Sequence, residues 1–413
     1  MDTALTIKID AMQKGTEHDA FVSLECAVCQ GLAPFLRMSL AGEDLIAKAG
    51  ELMERVRVCP EDAGSWRDAS IALSCLGQAE LAQQFLEQAL SLCTHYKIQG
   101  SASQPILRVL MLMQPGELSA NTPLECLLEQ APVEIVQALV TSGQLSSLQV
   151  PEHDVLFMAV AESPASQNLL HELELQLASW PRPVINTPQA VLGMARDRVA
   201  QLLQGIEGLV VPVTTSYSRA TLQPSVLAYP IIIRPLGSQA GHDLACLQHP
   251  DELIAYLHKV QADTFYVAPF VDYADRQGLY AKMRIALIDG EPWPCHRALS
   301  AHWMVHYVNA GMYEDAAKRA QELIWMQTFS AFLERHVVTL NEVAERLQLP
   351  YVLLDLAELQ DGRLLLFEAD PAMVVHAMDS VELFPYKQVY MGQLREAVVA
   401  SLVRHAGDVH GVS

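Results

Sequence analysis

Residues 349–370, LPYVLLDLAELQDGRLLLFEAD, join two apolar, β-forming runs through Asp361-Gly362, a favoured two-residue hairpin turn. With that turn Asp355 falls directly opposite Glu368. Side chains alternate faces with period two, so Asp370 shares their face one step along. Carboxylates directly opposed on a sheet of Leu, Val and Phe repel one another and destabilise the pairing. A divalent cation is the simplest remedy, and an all-oxygen ligand set favours Mg2+ or Mn2+. The stretch predicts a hairpin whose Asp355, Glu368 and Asp370 hold a metal.

A second hairpin signature precedes it: residues 279–299, LYAKMRIALIDGEPWPCHRAL, turning at Asp289-Gly290. Here Lys282 falls opposite Arg297, with Arg284 on the same face, while Met283, Ile285 and Leu287 point into a core. Pro292 and Pro294 can shift this register by a bulge. Three cations on one face call for an anion, a polyphosphate above all. A metal site beside a phosphate site points to a nucleotide.

Residues 229–244, YPIIIRPLGSQAGHDL, place Arg234 at the end of a buried strand, followed by a loop with Gly237, Ser238 and Gly241. The glycines permit conformations that aim N–H groups at phosphate oxygens, and the serine adds a hydroxyl. This is no Walker A motif, since the Gly-Lys-Ser/Thr ending is missing. A loop with two glycines is by itself better read as an ordinary turn; its weight comes from Arg234 and the loop preceding both charged hairpins.

Around this centre the chain divides in three. Residues 1–100 read as helical, and SWRDASIALSCLGQAELAQQFLEQAL (65–90) matches a tetratricopeptide repeat at Trp66, Gly77, Ala82 and Ala89. One such unit cannot bury its own faces, so it packs on the rest of the chain or on a peptide or protein partner. Residues 101–188 alternate apolar strands with helical stretches, the pattern of an α/β domain with a parallel sheet. Residues 189–413 turn to hairpins of α+β texture.

Half of the 413 residues are hydrophobic (51%), and the net charge is −21. That charge speaks against general binding to nucleic acid or anionic lipid. No apolar run reaches the ~18 residues of a membrane helix, and the opening MDTALTIKIDAMQK lacks the order of a signal peptide. The expectation is a cytoplasmic protein that uses neither nucleic acid nor a membrane. Cys26 and Cys29 form one CxxC without a second ligand pair, which reads better as buried thiols than as a zinc site.

The order of these segments resembles the ATP-grasp superfamily, in its glutathione-synthetase-like branch, over about residues 105–400. RPVINTPQAVLGMARDRVAQLL (182–203) resembles the entry into the ATP-binding region, with Arg198 where a cation meets the nucleotide phosphates. PIIIRPLGSQAGHDL resembles the element in which a cation and a glycine loop cover the phosphates, Arg234 standing for the usual Lys. TFYVAPFVDY (264–273) resembles the strand between lobes, where Tyr266, Val267, Pro269, Phe270 and Val271 would frame adenine and Asp272 would reach the ribose. KMRIALIDGEPWPCHRAL resembles the hairpin carrying substrate and phosphate contacts, and LLDL…LLLFEAD the metal hairpin, with Asp370 in place of Asn.

The resemblance implies two lobes clamping ATP, preceded by an α/β domain and an all-α tetratricopeptide-like domain. It implies an ADP-forming carboxylate–amine ligase acting through an acylphosphate on an amino acid or peptide. Arg198, Arg234 and Lys282 would hold the triphosphate, Asp355, Glu368 and Asp370 the Mg2+, and Arg284 and Arg297 the carboxylate and the oxyanion. Two alternatives stay open: a peptide-modifying ligase or cyclase that recruits its substrate through the helical domain, and a nucleotide-binding adaptor without catalysis. A homodimer is compatible with each. His302 and His306, four apart and so on one face if helical, are candidate substrate contacts; His376 is a further candidate at the acceptor site.

Overall fold

The computed structural model describes residues 24–100, 104–145, 148–238 and 241–407. The stretch read for a signal peptide, and residues 101–103 of the expected polar linker, lie outside the described residues.

Among the described residues the first elements are β1 (Ala27–Cys29), α1 (Leu32–Ala41), α2 (Leu45–Val58), α3 (Ala63–Cys75), α4 (Ala79–Leu92) and β2 (His95–Ile98). Asp44 and Asp62 start α2 and α3 by accepting from the N–H groups of Ala47 (2.9 Å) and Ser65 (3.0 Å), which satisfies donors the first helical turn leaves open. Gly77, at φ 72°, reverses α3 into α4. The two pack closely where Ala82 and Ala89 present no bulk and Trp66 meets Phe85 at 4.9 Å between ring centroids.

This region is not a free-standing helical domain. β1 pairs parallel with β2, and β2 pairs antiparallel with β4 (Val133–Leu139), so the boundary expected at residue 100 cuts through a sheet. The run THYKI is a short β-forming segment whose Tyr96 is fully buried; its hydroxyl donates to the carbonyls of Ala89 (2.9 Å) and Cys93 (2.6 Å). The sheet is completed by β3 (Leu107–Met113), β5 (Val155–Met158) and β6 (Val184–Ile185), in the order β1-β2-β4-β3-β5-β6, with α5 (Leu124–Leu128) and α6 (Gln167–Leu177) in the connections. From β3 the chain steps to β4 on one side and returns to β5 on the other. The crevice beyond the carboxyl end of such a strand is where open α/β sheets take ligands.

After α7 (Pro188–Leu192), α8 (Arg196–Leu202) and β7 (Leu209–Val210) comes a small lobe. β8 (Thr215–Ser218), β9 (Ile231–Pro235), β10 (Ala245–Leu247) and β11 (Thr264–Pro269) form a four-stranded antiparallel sheet in the order β10-β9-β11-β8. Its own core sets Ile231, Ile233, Phe265 and Val267 against Leu253 and Tyr256 of α9 (Pro250–Lys259).

The third sheet runs β13-β12-β14-β15-β7, from β12 (Tyr280–Ile288), β13 (Glu291–Ser300), β14 (Tyr351–Glu358) and β15 (Leu364–Asp370). α10 (Ala316–Gln327) and α11 (Phe329–Leu347) bring Trp325, Phe329 and Leu340 against Met283, Ile285 and Leu354. α12 (Lys387–Gly407) brings Met391 and Leu394 against Ala286 and Leu353. Leu110 and Leu112 share the first of these cores, Val109 and Met111 the second. The first and third sheets are thereby fastened together, each deeply buried Leu contributing ~1.5–3 kcal/mol, while the small lobe keeps its own core.

Candidate functional site

One cavity of about 600 Å³ lies among these elements. The small lobe supplies Arg234, Gly237, Ser238, Gly241, Tyr266, Phe270 and Val271; the third sheet supplies Lys282, Arg284, Asp355, Glu368 and Asp370. The register that brings the last three together differs from the expected one in an instructive way. Asp289 and Gly290 both take positive φ (50° and 84°), and Ile288 pairs with Glu291, as a two-residue turn requires. At the acidic hairpin only Gly362 is left-handed (φ 85°) and the loop is one residue longer, closed by Leu359 N–H donating to Arg363 O at 2.8 Å. A bulge between Asp355 and Leu356 then restores the pairing of Asp355 with Glu368 and of Leu353 with Asp370.

A bulge has the opposite consequence in the other hairpin. Between Arg284 and Ile285 the register slips, so Arg284 faces His296 and Arg297 faces Met283. Arg297 is therefore turned away from the cavity, and its expected place beside Lys282 and Arg284 is corrected. Its backbone N–H donates to Glu322 at 2.9 Å, its buried Nε has no partner, and burial lowers its pKa. The one-residue shift is what exchanges the faces.

The acidic triad is answered by cations already in the chain. β12 pairs with β14 so that Arg284 sits opposite Asp355. Arg284 Nε and Nη2 donate to the Asp355 carboxylate at 2.8 and 3.1 Å, and Lys282 Nζ approaches it at 2.6 Å. Asp355 is 1% exposed; burial opposes its charge, but these two cations hold its pKa far below the usual range. Lys282 and Arg284 thus enter the cavity already tied to the carboxylate expected to take part in holding a metal. Arg284 also donates to the Val374 carbonyl at 2.8 Å. Glu368 pairs with Arg196. Asp370 is pushed up to about 7, first by burial and then by Glu368 beside it.

Among the described residues no group of three or more His, Cys, Asp or Glu is arranged to hold a metal. The donor chemistry of Glu368 and Asp370, the two acidic residues of β15 that line the cavity, fits a hard cation. Both offer only oxygen; Glu368 is paired with Arg196, and the pKa of Asp370 is raised first by burial and then by Glu368.

Arg234 is buried on β9, where its Nε donates to Ser238 Oγ at 3.0 Å and its Nη2 to the Ser238 carbonyl. It thus braces the loop that carries Gly237 (φ 76°) and Gly241 (φ 74°). Burial and neighbouring Arg196 lower its pKa to about 10, leaving it a cation at neutral pH. The loop lies over His306: a Cβ on Gly241 would come within 2.6 Å of its Nε2. His306 lines the cavity with its pKa lowered by burial and by Lys282, so it is neutral at pH 7.

Other expected contacts are redistributed. The segment 301–306 is not helical; His302 is exposed and outside the cavity lining, so the pair does not share a helix face. On β11 the period of two puts Tyr266 and Ala268 on the cavity and Val267 in the lobe's core. Asp272 is exposed and caps its own turn, accepting from Ala274 N–H at 3.1 Å. Arg198 is exposed, donates to the Leu192 carbonyl at 2.9 Å, and does not line the cavity; Arg196, two residues earlier, does. His376 is also absent from the lining. Arg196 and Glu162 are cavity residues that the sequence reading missed. The signal for Arg196 was the first of the two cations in ARDR (195–198); for Glu162 it was an acid just past a continuous apolar strand.

No protein-family model and no curated protein matches the chain. Solved structures similar to it include a D-alanine–D-alanine ligase from Bacillus anthracis complexed with ATP, at 14% identity, TM-score 0.46, covering 73% of this chain and 99% of that one. VanG D-Ala:D-Ser ligase from Enterococcus faecalis matches at 13% identity and TM-score 0.44, over 72% of this chain and 99% of that one. A RimK domain protein ATP-grasp from Sphaerobacter thermophilus matches at 16% identity and TM-score 0.41, over 71% and 99%.

Proposed function

We propose that this chain is an ATP-grasp ligase that binds ATP between the small lobe and the third sheet and joins a carboxylate to an amine, releasing ADP and phosphate. The observation that carries the reading is the single cavity in which Arg196, Arg234, Lys282 and Arg284 meet Glu368 and Asp370, beneath a glycine loop and beside Tyr266 and Phe270. Four cations in one concave site suit a polyphosphate. The apolar faces of Tyr266, Ala268, Pro269, Phe270 and Val271 suit a purine.

In this chemistry a carboxylate oxygen attacks the γ-phosphorus and the bond to ADP breaks, giving an acylphosphate. The amine nitrogen then attacks the acyl carbon, phosphate leaves, and the nitrogen loses a proton as the amide forms. No side-chain nucleophile is needed; positioning and charge stabilisation carry the rate. The chain supplies those as follows. Asp355 fixes Lys282 and Arg284 in place by ion pairs at 2.6 and 2.8 Å, so both reach the cavity already oriented. Arg234 holds the glycine loop that would exclude water over the phosphates. Glu368 and Asp370 would hold Mg2+, which when bound supplies charge neutralisation for the polyphosphate.

The test is titration of the full chain with a fluorescent ATP analogue and Mg2+, followed by ADP release in the presence of pooled amino acids. Glu368→Gln is expected to lower ADP release by at least 100-fold with the circular-dichroism spectrum unchanged. Wild-type protein that binds no nucleotide, or a Glu368→Gln variant with undiminished turnover, refutes the reading.

A further inference from the structure

The cavity has a wall that the nucleotide does not explain. Leu32 and Leu36 of α1, Cys75 at the end of α3, Leu118 and Pro123 beyond β3, and Met373 after β15 all line it, and none carries a charge. Leu32, Leu36, Cys75 and Leu118 belong to one apolar cluster with the helical region's core, distinct from the cluster inside the small lobe. The charged lining comes from other segments: β9, β12, β14, β15, α8 and Glu162 after β5. The helical wall also stands at the carboxyl end of β3, the point where the strand order reverses and where open α/β sheets take ligands.

From this wall, and resting on the ligase reading above, we propose that the substrate joined here carries an apolar side chain of leucine to phenylalanine size. That side chain is seated against Leu32, Leu36, Cys75, Leu118, Pro123 and Met373. The helical region is then part of the substrate pocket itself. An uncharged wall has no ionic partner for a substrate carboxylate or ammonium beyond the reacting groups. A polar side chain placed there would lose its water with only the Ser119 hydroxyl on that stretch in exchange. Differences of one or more methylenes in such a pocket are worth about 10- to 200-fold.

The experiment is calorimetric titration of the full chain with L-leucine, L-phenylalanine, L-alanine and L-glutamate, each with and without a non-hydrolysable ATP analogue and Mg2+. Leucine and phenylalanine are expected to bind at least 10-fold more tightly than alanine and glutamate. Leu36→Trp, and independently Cys75→Phe from the neighbouring helix, are expected to erase that preference with nucleotide affinity within about twofold of wild type. Glutamate or alanine binding as tightly as leucine overturns the proposal, as does nucleotide binding with no amino acid bound at all. Failure of the wild type to bind nucleotide is a separate result: it removes the ligase reading, whereas the amino-acid titration without nucleotide still decides the nature of the wall.

Discussion

Asp355 is buried beneath Lys282 and Arg284, with ion pairs of 2.6 and 2.8 Å. Removing its charge strands two cations whose side chains are only 17% exposed. Asp355→Asn is therefore expected to destabilise the fold toward the low end of ~3–5 kcal/mol, read as a fall in urea midpoint at unchanged slope. A loss below ~1 kcal/mol would mean that both cations find water instead. The opposition of Asp355 and Glu368, expected from a two-residue turn, is reached by another route: the loop is one residue longer and the bulge after Asp355 offsets it. Its remedy was not legible in the sequence: Arg284 sits opposite Asp355 through the pairing of β12 with β14, strands from different hairpins whose adjacency no local pattern encodes. The charge of Asp355 is balanced from that neighbouring strand by Lys282 and Arg284. Arg196 was missed for a related reason, since the choice between two cations in ARDR depends on where α8 begins.

The two Asp-Gly dipeptides show how far one local signal reaches at the scale of an element. At Asp289-Gly290 both residues are left-handed and the strands close on a two-residue turn; at Asp361-Gly362 only the glycine is, and the loop gains a residue. The existence of both hairpins followed from composition. Which side chains reached the cavity depended on two bulges, one restoring the face of Glu368 and one removing Arg297 from the site. A bulge is set by packing across several strands, so Pro292 and Pro294 could warn of it without locating it. Gly362 has open space where a Cβ would stand, so a substitution there tests backbone conformation alone. Gly362→Ala is expected to cost roughly 1–2 kcal/mol, the left-handed penalty for a residue with a Cβ. Thermal unfolding measures it; an unchanged melting temperature would show that the loop relaxes into another turn at no cost.

Across the whole molecule, the α/β alternation and the hairpin-rich half were both visible as changes in hydrophobic period, but the separateness of the helical start was an artefact of reading helices first. β1 and β2 are too short to compete with four amphipathic helices in a sequence pattern, and only the sheet shows them. Asp68 of α3 ties this region down: it accepts from Gln30 N–H at 2.9 Å and from Gly31 N–H at 3.3 Å, just beyond β1. Burial raises its pKa to about 6 against those hydrogen bonds, which lower it. A carboxyl group whose folded value lies above its unfolded value of about 3.9 binds more protons when folded. Its contribution is thus fully present below about pH 4, is lost as the pH rises through about 6, and is constant above. The difference amounts to as much as ~3 kcal/mol. Asp68→Asn should abolish this slope, so the stability gap between variant and wild type changes from pH 4.5 to pH 7 while other titrations cancel. Because β1 and β2 belong to the same six-stranded sheet as β3 and β5, the change is expected in the main urea transition, followed by Trp fluorescence and circular dichroism together. A separate early transition carrying the whole pH effect would show that the helical region unfolds alone, and that its place in the sheet adds nothing to its stability.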